Sequence, residues 1–257
     1  MGRKASAFLA LLSISLLLSA CIFRRPQRYS DFITPTPLPP DQYLVIGFLG
    51  GRQPWNNAKE GTRRLALKLR ATNLPGVHVE TVENARRPLA LELIRNAFDR
   101  NQDGRLDEAE RQRVRLILYG QSFGGAAVVK LARELHALDI PVLLTVQIDS
   151  VGREDAEIPA NVQAAANLFQ HDGRLIRGEA EIRAEDLQKT KILGNFRFSY
   201  QDKQVDMSDV TWHKRIFRDA HAKMDRDTEV WTQVEELIVA AIKEKAEPST
   251  AKPLQPD

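Results

Sequence analysis

Residues 99–128, DRNQDGRLDEAERQRVRLILYGQSFGGAAV, decide the fold. The apolar run RLILY at 115–119 has the length and composition of a buried strand. A glycine-rich turn, GQSFGG, follows it directly, and the alanine- and valine-rich stretch at 123–138 has the length of a helix. A strand that passes through a tight turn into a helix is the building unit of a parallel α/β sheet.

The same alternation continues on both sides of this stretch. Strands are predicted at 43–48, 77–82, 115–119, 141–148 and 192–200, and helices at 56–70, 88–98, 123–138 and 229–243. Residues 162–170 suit either a strand or a short helix. Strands that alternate with helices predict an α/β fold, with a mostly parallel sheet covered by helices on both faces.

Ser122 lies in the middle of the turn and forms the pattern G-x-S-x-G with Gly120 and Gly124. A serine hydroxyl becomes a nucleophile when a base takes its proton and nearby donors hold the oxyanion that forms. The turn would expose the side chain, and the following helix N-terminus would point N–H groups at the reacting oxygen. Ser122 is therefore the predicted nucleophile; the alternative is a glycine-rich turn that only packs a helix onto the sheet.

This turn resembles the nucleophile turn of the α/β-hydrolase fold, the family of serine esterases and lipases, over about residues 43–245. Gln121 stands where many members have a histidine. The resemblance implies a three-layer fold with about six strands, since the chain begins at the family's third strand. It also implies an oxyanion hole made by the backbone N–H of Phe123 and that of Leu49, with Phe48 as the alternative. The implied reaction is hydrolysis of a small-molecule ester or thioester through an acyl-enzyme.

The family's chain order is serine, then acid, then histidine. His221 lies in a polar segment before the closing helix, where the family places its base, so the resemblance identifies it as the base. His213 and His171 are the alternatives. His78 and His136 precede the candidate acids and are expected to be structural.

Asp149 is the predicted acid because it ends the apolar strand at 141–148. A carboxylate there would lie at the reactive edge of the sheet and could hold an imidazole in one tautomer. Its turn resembles the one after the sixth strand in pancreatic-type lipases. Other candidate acids remain open: Asp172, which follows the next strand, and then Asp202, Asp206 and Asp209.

The first half of the opening stretch matches the twelve-residue calcium loop of an EF-hand. The predicted oxygen donors are Asp99, Asn101, Asp103, the carbonyl of Arg105, Asp107 through a water, and Glu110. Gly104 would supply the sharp turn at position six. The exiting helix is short, because 115–119 must be a strand, and there is no second such loop in the sequence. We therefore expect Ca²⁺ here to be structural; the alternative is a solvated turn without metal.

The N-terminus has the features of a targeting segment. Arg3 and Lys4 precede an apolar stretch at 5–18, and LSAC at 18–21 resembles the processing site of bacterial lipoproteins. Residues 1–20 are thus the predicted signal peptide and Cys21, the only cysteine, the predicted lipidation site; the alternative is an ordinary secretory signal. This predicts a protein of the bacterial cell envelope, anchored to a membrane and facing away from the cytoplasm.

The two ends of the expected hydrolase-like domain, 43–245, have low structural propensity. Residues 21–42 hold many prolines and are predicted to be an extended tether, and 246–257 to be a disordered tail.

The formal charge is +3 and falls to +1 without Arg3 and Lys4, which gives no electrostatic reason to expect a nucleic-acid partner. The charged segment at 171–190 favours a small or soluble substrate over bulk lipid. The competing hypothesis is a calcium-stabilised binding lipoprotein that keeps a hydrolase scaffold without its chemistry.

Overall fold

The computed structural model describes residues 25–173, 175–210 and 219–246. Its centre is a six-stranded sheet in the order β2-β1-β3-β4-β6-β8, in which every neighbouring pair is parallel. The strands are β1 Tyr43–Leu49, β2 Val77–Glu83, β3 Leu116–Gln121, β4 Val142–Ile148, β5 Glu157–Ile158, β6 Val162–Gln170, β7 Arg183–Ala184 and β8 Lys191–Phe198. The two short strands β5 and β7 pair with each other in a separate ladder.

Helices cover both faces of this sheet. They are α1 Gly61–Ala71, α2 Arg87–Phe98, α3 Glu108–Gln112, α4 Phe123–His136, α5 Asp219–Arg226 and α6 Thr228–Ala246. Helices α2 and α4 pack on one face with Leu116 and Leu118 of β3, while α1, α5 and α6 pack on the other with Ile117 and Tyr119. Strands β1, β3 and β4 are buried along their whole length, as expected for parallel strands between two helical layers.

The predicted fold class, an α/β fold with a mostly parallel sheet of about six strands and helices on both faces, is confirmed. The ambiguous stretch at 162–170 is strand β6, whose residues 162–168 pair with β4 on one side and whose residues 164–170 pair with β8 on the other. His221 lies in helix α5 and not in a loop. The short exit helix after the predicted calcium loop is present as α3, which Asp107 and Glu110 cap reciprocally.

The tether prediction is wrong for residues 25–42, which lie against the domain. The Gln27 amide donates to Thr81 O at 2.8 Å and its oxygen accepts from Glu83 N at 3.1 Å, so it bonds to the outer edge of β2. The buried carboxylate of Glu80 accepts from the backbone of Ile33 and Thr34. Proline-rich composition suits an extended chain, but side chains bonded to an open strand edge hold that chain in place.

The signal peptide, Cys21 and the tail at 247–257 lie outside the described residues. Within the described ranges, none of the helices combines the length and apolar character needed to cross a bilayer.

Candidate active site

Ser122 lies at the carboxyl end of the central strand β3, immediately before helix α4. Its φ of +58° is a conformation that few residues other than glycine adopt. The neighbouring glycines permit this turn, because a Cβ on Gly120 would lie 2.4 Å from Gly124 O, and one on Gly124 would lie 2.0 Å from Phe48 O. The first turn of α4 thus packs directly on the ends of β3 and β1. The space between these backbones holds the Cα hydrogens of Gly120 and Gly124 but would not hold a Cβ.

Asp149 follows β4 and is completely buried, also with a positive φ of +43°. Its Oδ2 lies 2.6 Å from His221 Nδ1 and accepts from Gln170 Nε2 at 2.9 Å. Its Oδ1 accepts from the backbone N–H of Gly178 at 2.8 Å. A buried carboxylate is costly unless donors surround it, and three donors from separate segments do so here.

The contact with Asp149 bears on the tautomer of the imidazole. If His221 is neutral and donates through Nδ1, its Nε2 carries a lone pair and accepts. The side-chain amide of Gln121 lies 3.4 Å from this Nε2 and is the group placed to donate to it. Among the hydrogen bonds of the described residues there is none between Ser122 Oγ and His221. Ser122 and His221 do line the same cavity.

This cavity, which we call the nucleophile cavity, has a volume of about 570 Å³. The loop after β1 forms one wall and α5 another. Its polar lining includes Gln53, Asn57, Glu60, Asp225 and Arg226; its apolar lining includes Phe123, Val151, Ile176 and Val210.

Buried charges are paired within the polar wall of the nucleophile cavity. Glu60 accepts from Asn57 Nδ2 at 3.0 Å and lies 3.7 Å from Arg226 Nη1. Arg226 also pairs with Asp225 and Asp209. The wall is therefore polar, and its charged groups are paired within it, which suits hydrogen-bonding groups on a ligand better than a long hydrocarbon chain.

The two predicted oxyanion donors differ in position. Phe123 lines the nucleophile cavity at the start of α4, and its backbone N–H meets no acceptor in the described part of the chain. Leu49 and the alternative Phe48 do not line it: both are fully buried and paired with β2 through Glu83 and Val82. The loop residues that line the cavity are at 50–54 and 57, so neither Leu49 nor Phe48 borders it.

The alternative acids and bases lie elsewhere. Asp172 accepts from Ser199 Oγ and from the backbone N–H of Tyr200, which lowers the pKa of Asp172. His171 packs edge-on against Phe169, and His213 lies outside the described residues. His78 bonds to Gln42, and His136 lies 4.0 Å from Glu185. Of the other candidate acids, Asp209 pairs with Arg226, while Asp202 and Asp206 are in the segment after β8, outside the cavity lining.

Sequence reasoning missed Gln170, Gly178 and the contact of Gln121 with His221. Gln170 offered a signal, since a polar residue that ends the apolar strand β6 at the reactive edge is the kind of position that singled out Asp149. The segment at 171–190 also has a role beyond a solvated connection, because its Gly178 holds the Asp149 carboxylate.

The predicted calcium loop has the expected turns, with Gly104 at φ +86°. Its carboxylates bond to the loop's own backbone. Asp99 accepts from the N–H groups of Asp103 and Gly104, and Glu110 from those of Arg100, Asn101 and Asp107. Across the described ranges, no group of three or more His, Cys, Asp or Glu side chains is placed to hold a metal ion. The oxygen atoms are of a type that Ca²⁺ prefers. In this structure they accept hydrogen bonds from the backbone N–H groups of the loop.

Comparisons with known proteins give structural likeness only. No family model matches the chain, and no curated protein does. A solved structure titled a novel cutinase-like protein from Cryptococcus sp. is 17% identical with a TM-score of 0.43, covering 78% of this chain and 95% of that chain. RedJ, titled a thioesterase from the prodiginine biosynthetic pathway in Streptomyces coelicolor, is 12% identical with a TM-score of 0.34, covering 78% and 97% respectively.

The geometry separates the two leading candidates for the acid. We expect Asp149→Asn to lower the rate of labelling by a serine-directed fluorophosphonate by roughly 10³-fold, because the amide no longer holds His221 in the reactive tautomer. Asp172→Asn should label like the unmodified protein, because Asp172 contacts the β8 end instead of His221. Circular dichroism would check that both variants fold. Loss of labelling in Asp172→Asn alone would reverse the assignment.

Proposed function

We propose that this protein is a serine hydrolase that cleaves a carboxylic ester or thioester through a Ser-His-Asp acyl-enzyme mechanism. The observation that carries the proposal is the 2.6 Å contact between His221 Nδ1 and the buried Asp149, beside a cavity that Ser122 also lines. The strained conformation of Ser122 supports it, since residues held at positive φ concentrate at functional sites.

In the proposed reaction His221 Nε2 takes the proton of Ser122 Oγ as this oxygen bonds to the substrate carbonyl carbon. Asp149 stabilises the imidazolium that forms. The backbone N–H of Phe123 donates to the oxyanion, together with an N–H from the loop at 50–52. The imidazolium then protonates the leaving alcohol or thiol, and a water molecule activated by the same base hydrolyses the acyl-enzyme.

The contact between Gln121 and His221 bears on the first step. The amide now occupies the Nε2 lone pair that must receive the serine proton, so it must be displaced before Ser122 can react. A neutral amide 3.4 Å away is a weak partner, so the serine hydroxyl can compete with it for Nε2. The competing function, a binding protein on this scaffold, is favoured by this one observation.

Hydrolysis is tested directly with 4-nitrophenyl esters of short acids and with the fluorophosphonate. We expect the unmodified protein to hydrolyse 4-nitrophenyl butyrate, and Ser122→Ala to lose activity by roughly 10³-fold or more together with all labelling. Ser199→Ala, which changes a serine at the end of β8, is the matched control and should keep both. A folded, unmodified protein that neither labels nor hydrolyses any ester would favour the binding protein.

We also propose that the loop at 99–110 binds calcium as a structural ion. The support is the spacing of Asp99, Asn101, Asp103, Asp107 and Glu110 around Gly104. Several carboxylates within one short loop repel one another, and a divalent cation would relieve that repulsion. Binding would need Glu110 to exchange its backbone donors for the ion. The loop precedes the amino end of β3, opposite Ser122, so no catalytic step involves it.

Calcium binding should raise the melting temperature, because an ion that binds only the folded chain stabilises it by mass action. We expect a rise of several degrees with millimolar calcium over chelator in the unmodified protein. Glu110→Gln should abolish the difference, whereas Glu108→Gln, an exposed change in the same helix, should keep it. Equal melting temperatures with calcium and with chelator would contradict the proposal.

We propose, finally, that the chain is a lipoprotein of the bacterial envelope that is acylated on Cys21. The support is the sequence alone: the basic start, the apolar stretch and the small residues before the cysteine. The lipid would anchor the domain to the membrane, and Gln27, six residues after Cys21, is already bonded to β2.

Lipidation predicts that the protein, expressed in a bacterium, fractionates with membranes and carries a diacylglyceryl mass at its N-terminus. Cys21→Ser should abolish both the added mass and the membrane association, because no other cysteine can accept the lipid. Mass spectrometry of the mature N-terminus is the measurement. A soluble protein cleaved elsewhere and without an adduct would point to an ordinary secretory signal.

A further inference from the structure

A second cavity adjoins the nucleophile cavity. It has a volume of about 410 Å³ and shares Phe123 and Val151 with the first, so the two meet beside Ser122. We call it the basic groove. Its remaining lining is Asn84, Ala85, Arg87, Ala126, Ala127, Lys130, Gly152 and Arg153. A substrate held at Ser122 therefore has two adjoining spaces for its two ends.

The floor of the basic groove is one stripe of helix α4. Phe123, Ala126, Ala127 and Lys130 are spaced by three and four residues and so lie on one face of the helix. Ala126 and Ala127 are small and nearly buried, and Gly152 approaches Ala126 so closely that a Cβ on Gly152 would lie 2.4 Å from the Ala126 Cβ. The rise from 123 to 130 is about 10 Å along the helix axis. The stripe thus leads from the residue next to the nucleophile to a cation about that distance away.

The charge of the basic groove has one sign. Arg87, Lys130 and Arg153 line it, and no carboxylate does. Arg87 bonds to Glu134 at 3.0 Å, which offsets part of its charge. Lys130 and Arg153 form no ion pair with any described carboxylate, and both are exposed to solvent at the groove. Two uncompensated cations beside a small-residue floor suit an anionic group at the end of an extended chain.

We propose that the basic groove binds the anionic end of the substrate, so that the substrate is an ester or thioester with a terminal carboxylate or phosphate. This inference rests on the proposed function, since Ser122 must attack the carbonyl. It adds a substrate class: an anion at the end of a chain long enough to follow the rise of about 10 Å from Phe123 to Lys130, a length of about six to eight methylene groups. The polar wall of the nucleophile cavity, whose carboxylates pair with Arg226, takes the other end of the molecule.

The test compares 4-nitrophenyl hemiesters of dicarboxylic acids with the same esters after methylation of the free carboxylate. For a chain of about eight carbons we expect kcat/KM of the anionic ester to exceed that of the neutral one by about tenfold. The preference should shrink at high salt, because exposed ion pairs are screened. It should also shrink for a four-carbon chain, which is too short to place its carboxylate at Lys130 and Arg153.

Substitutions of Lys130 and Arg153 test whether the basic groove causes the preference for the anionic ester. The double variant Lys130→Ala/Arg153→Ala should bring the ratio of anionic to neutral kcat/KM close to one, and Lys130→Glu/Arg153→Glu should invert it. Lys243→Ala/Lys245→Ala removes two exposed charges from α6, which packs on the opposite face of the sheet, and should leave the ratio unchanged. The same series with ω-phosphate esters shows whether carboxylate or phosphate is preferred.

The outcomes separate the two proposals. If the unmodified protein hydrolyses anionic and neutral esters equally well, or if the double variant keeps the preference, the assignment of the groove is overturned while the hydrolase remains. If no ester is hydrolysed and no fluorophosphonate is bound, the proposed function fails and the substrate class falls with it. A preference that follows Lys130 and Arg153 supports both.

Discussion

The buried carboxylate of Asp149 is the interaction on which the candidate site depends. A fully buried anion requires donors on its oxygens, and here they come from helix α5, the end of β6 and the segment after it. Each donor belongs to an element distant in sequence from β4. Satisfying one carboxylate therefore fixes three chain segments beside the nucleophile turn, and the position of His221 follows from that requirement.

Much of this arrangement follows from local sequence. Apolar runs of strand length and the glycine spacing around Ser122 predicted the sheet, its parallel character and the nucleophile turn, because these features depend on short-range patterns. Asp149 was identified by its place at the end of an apolar strand. Chain order within a known family, and not geometry, singled out His221. The contact between these two residues spans 72 positions, and no local pattern encodes it.

Other features could not be predicted because tertiary contacts override composition. Residues 25–42 have the composition of a tether, yet Gln27 and the backbone at 33 and 34 bond to β2, whose outer edge would otherwise be open. His221 lies in a polar segment typical of a loop, yet it is helical, with Met224 of the same helix fully buried against the sheet. Leu49 does not border the cavity, whose loop wall begins at Gly50, because the end of a strand is uncertain from sequence by a few residues.

The opening stretch at 99–128 combines two units with separate roles. The loop at 99–110 lies before β3 and the turn at Ser122 after it, so the strand holds them at opposite ends of the sheet. The carboxylates of the loop accept hydrogen bonds from the loop's own backbone, and these bonds can stabilise the chain where it enters β3. Because the loop lies at the other end of the strand, it cannot contact a substrate held at Ser122. At the other end, Phe123 borders both cavities and also presents its N–H at the start of α4. Phe123 therefore lies where the two cavities meet, so in the proposed reaction the shape of both cavities and the position of the oxyanion depend on the same turn.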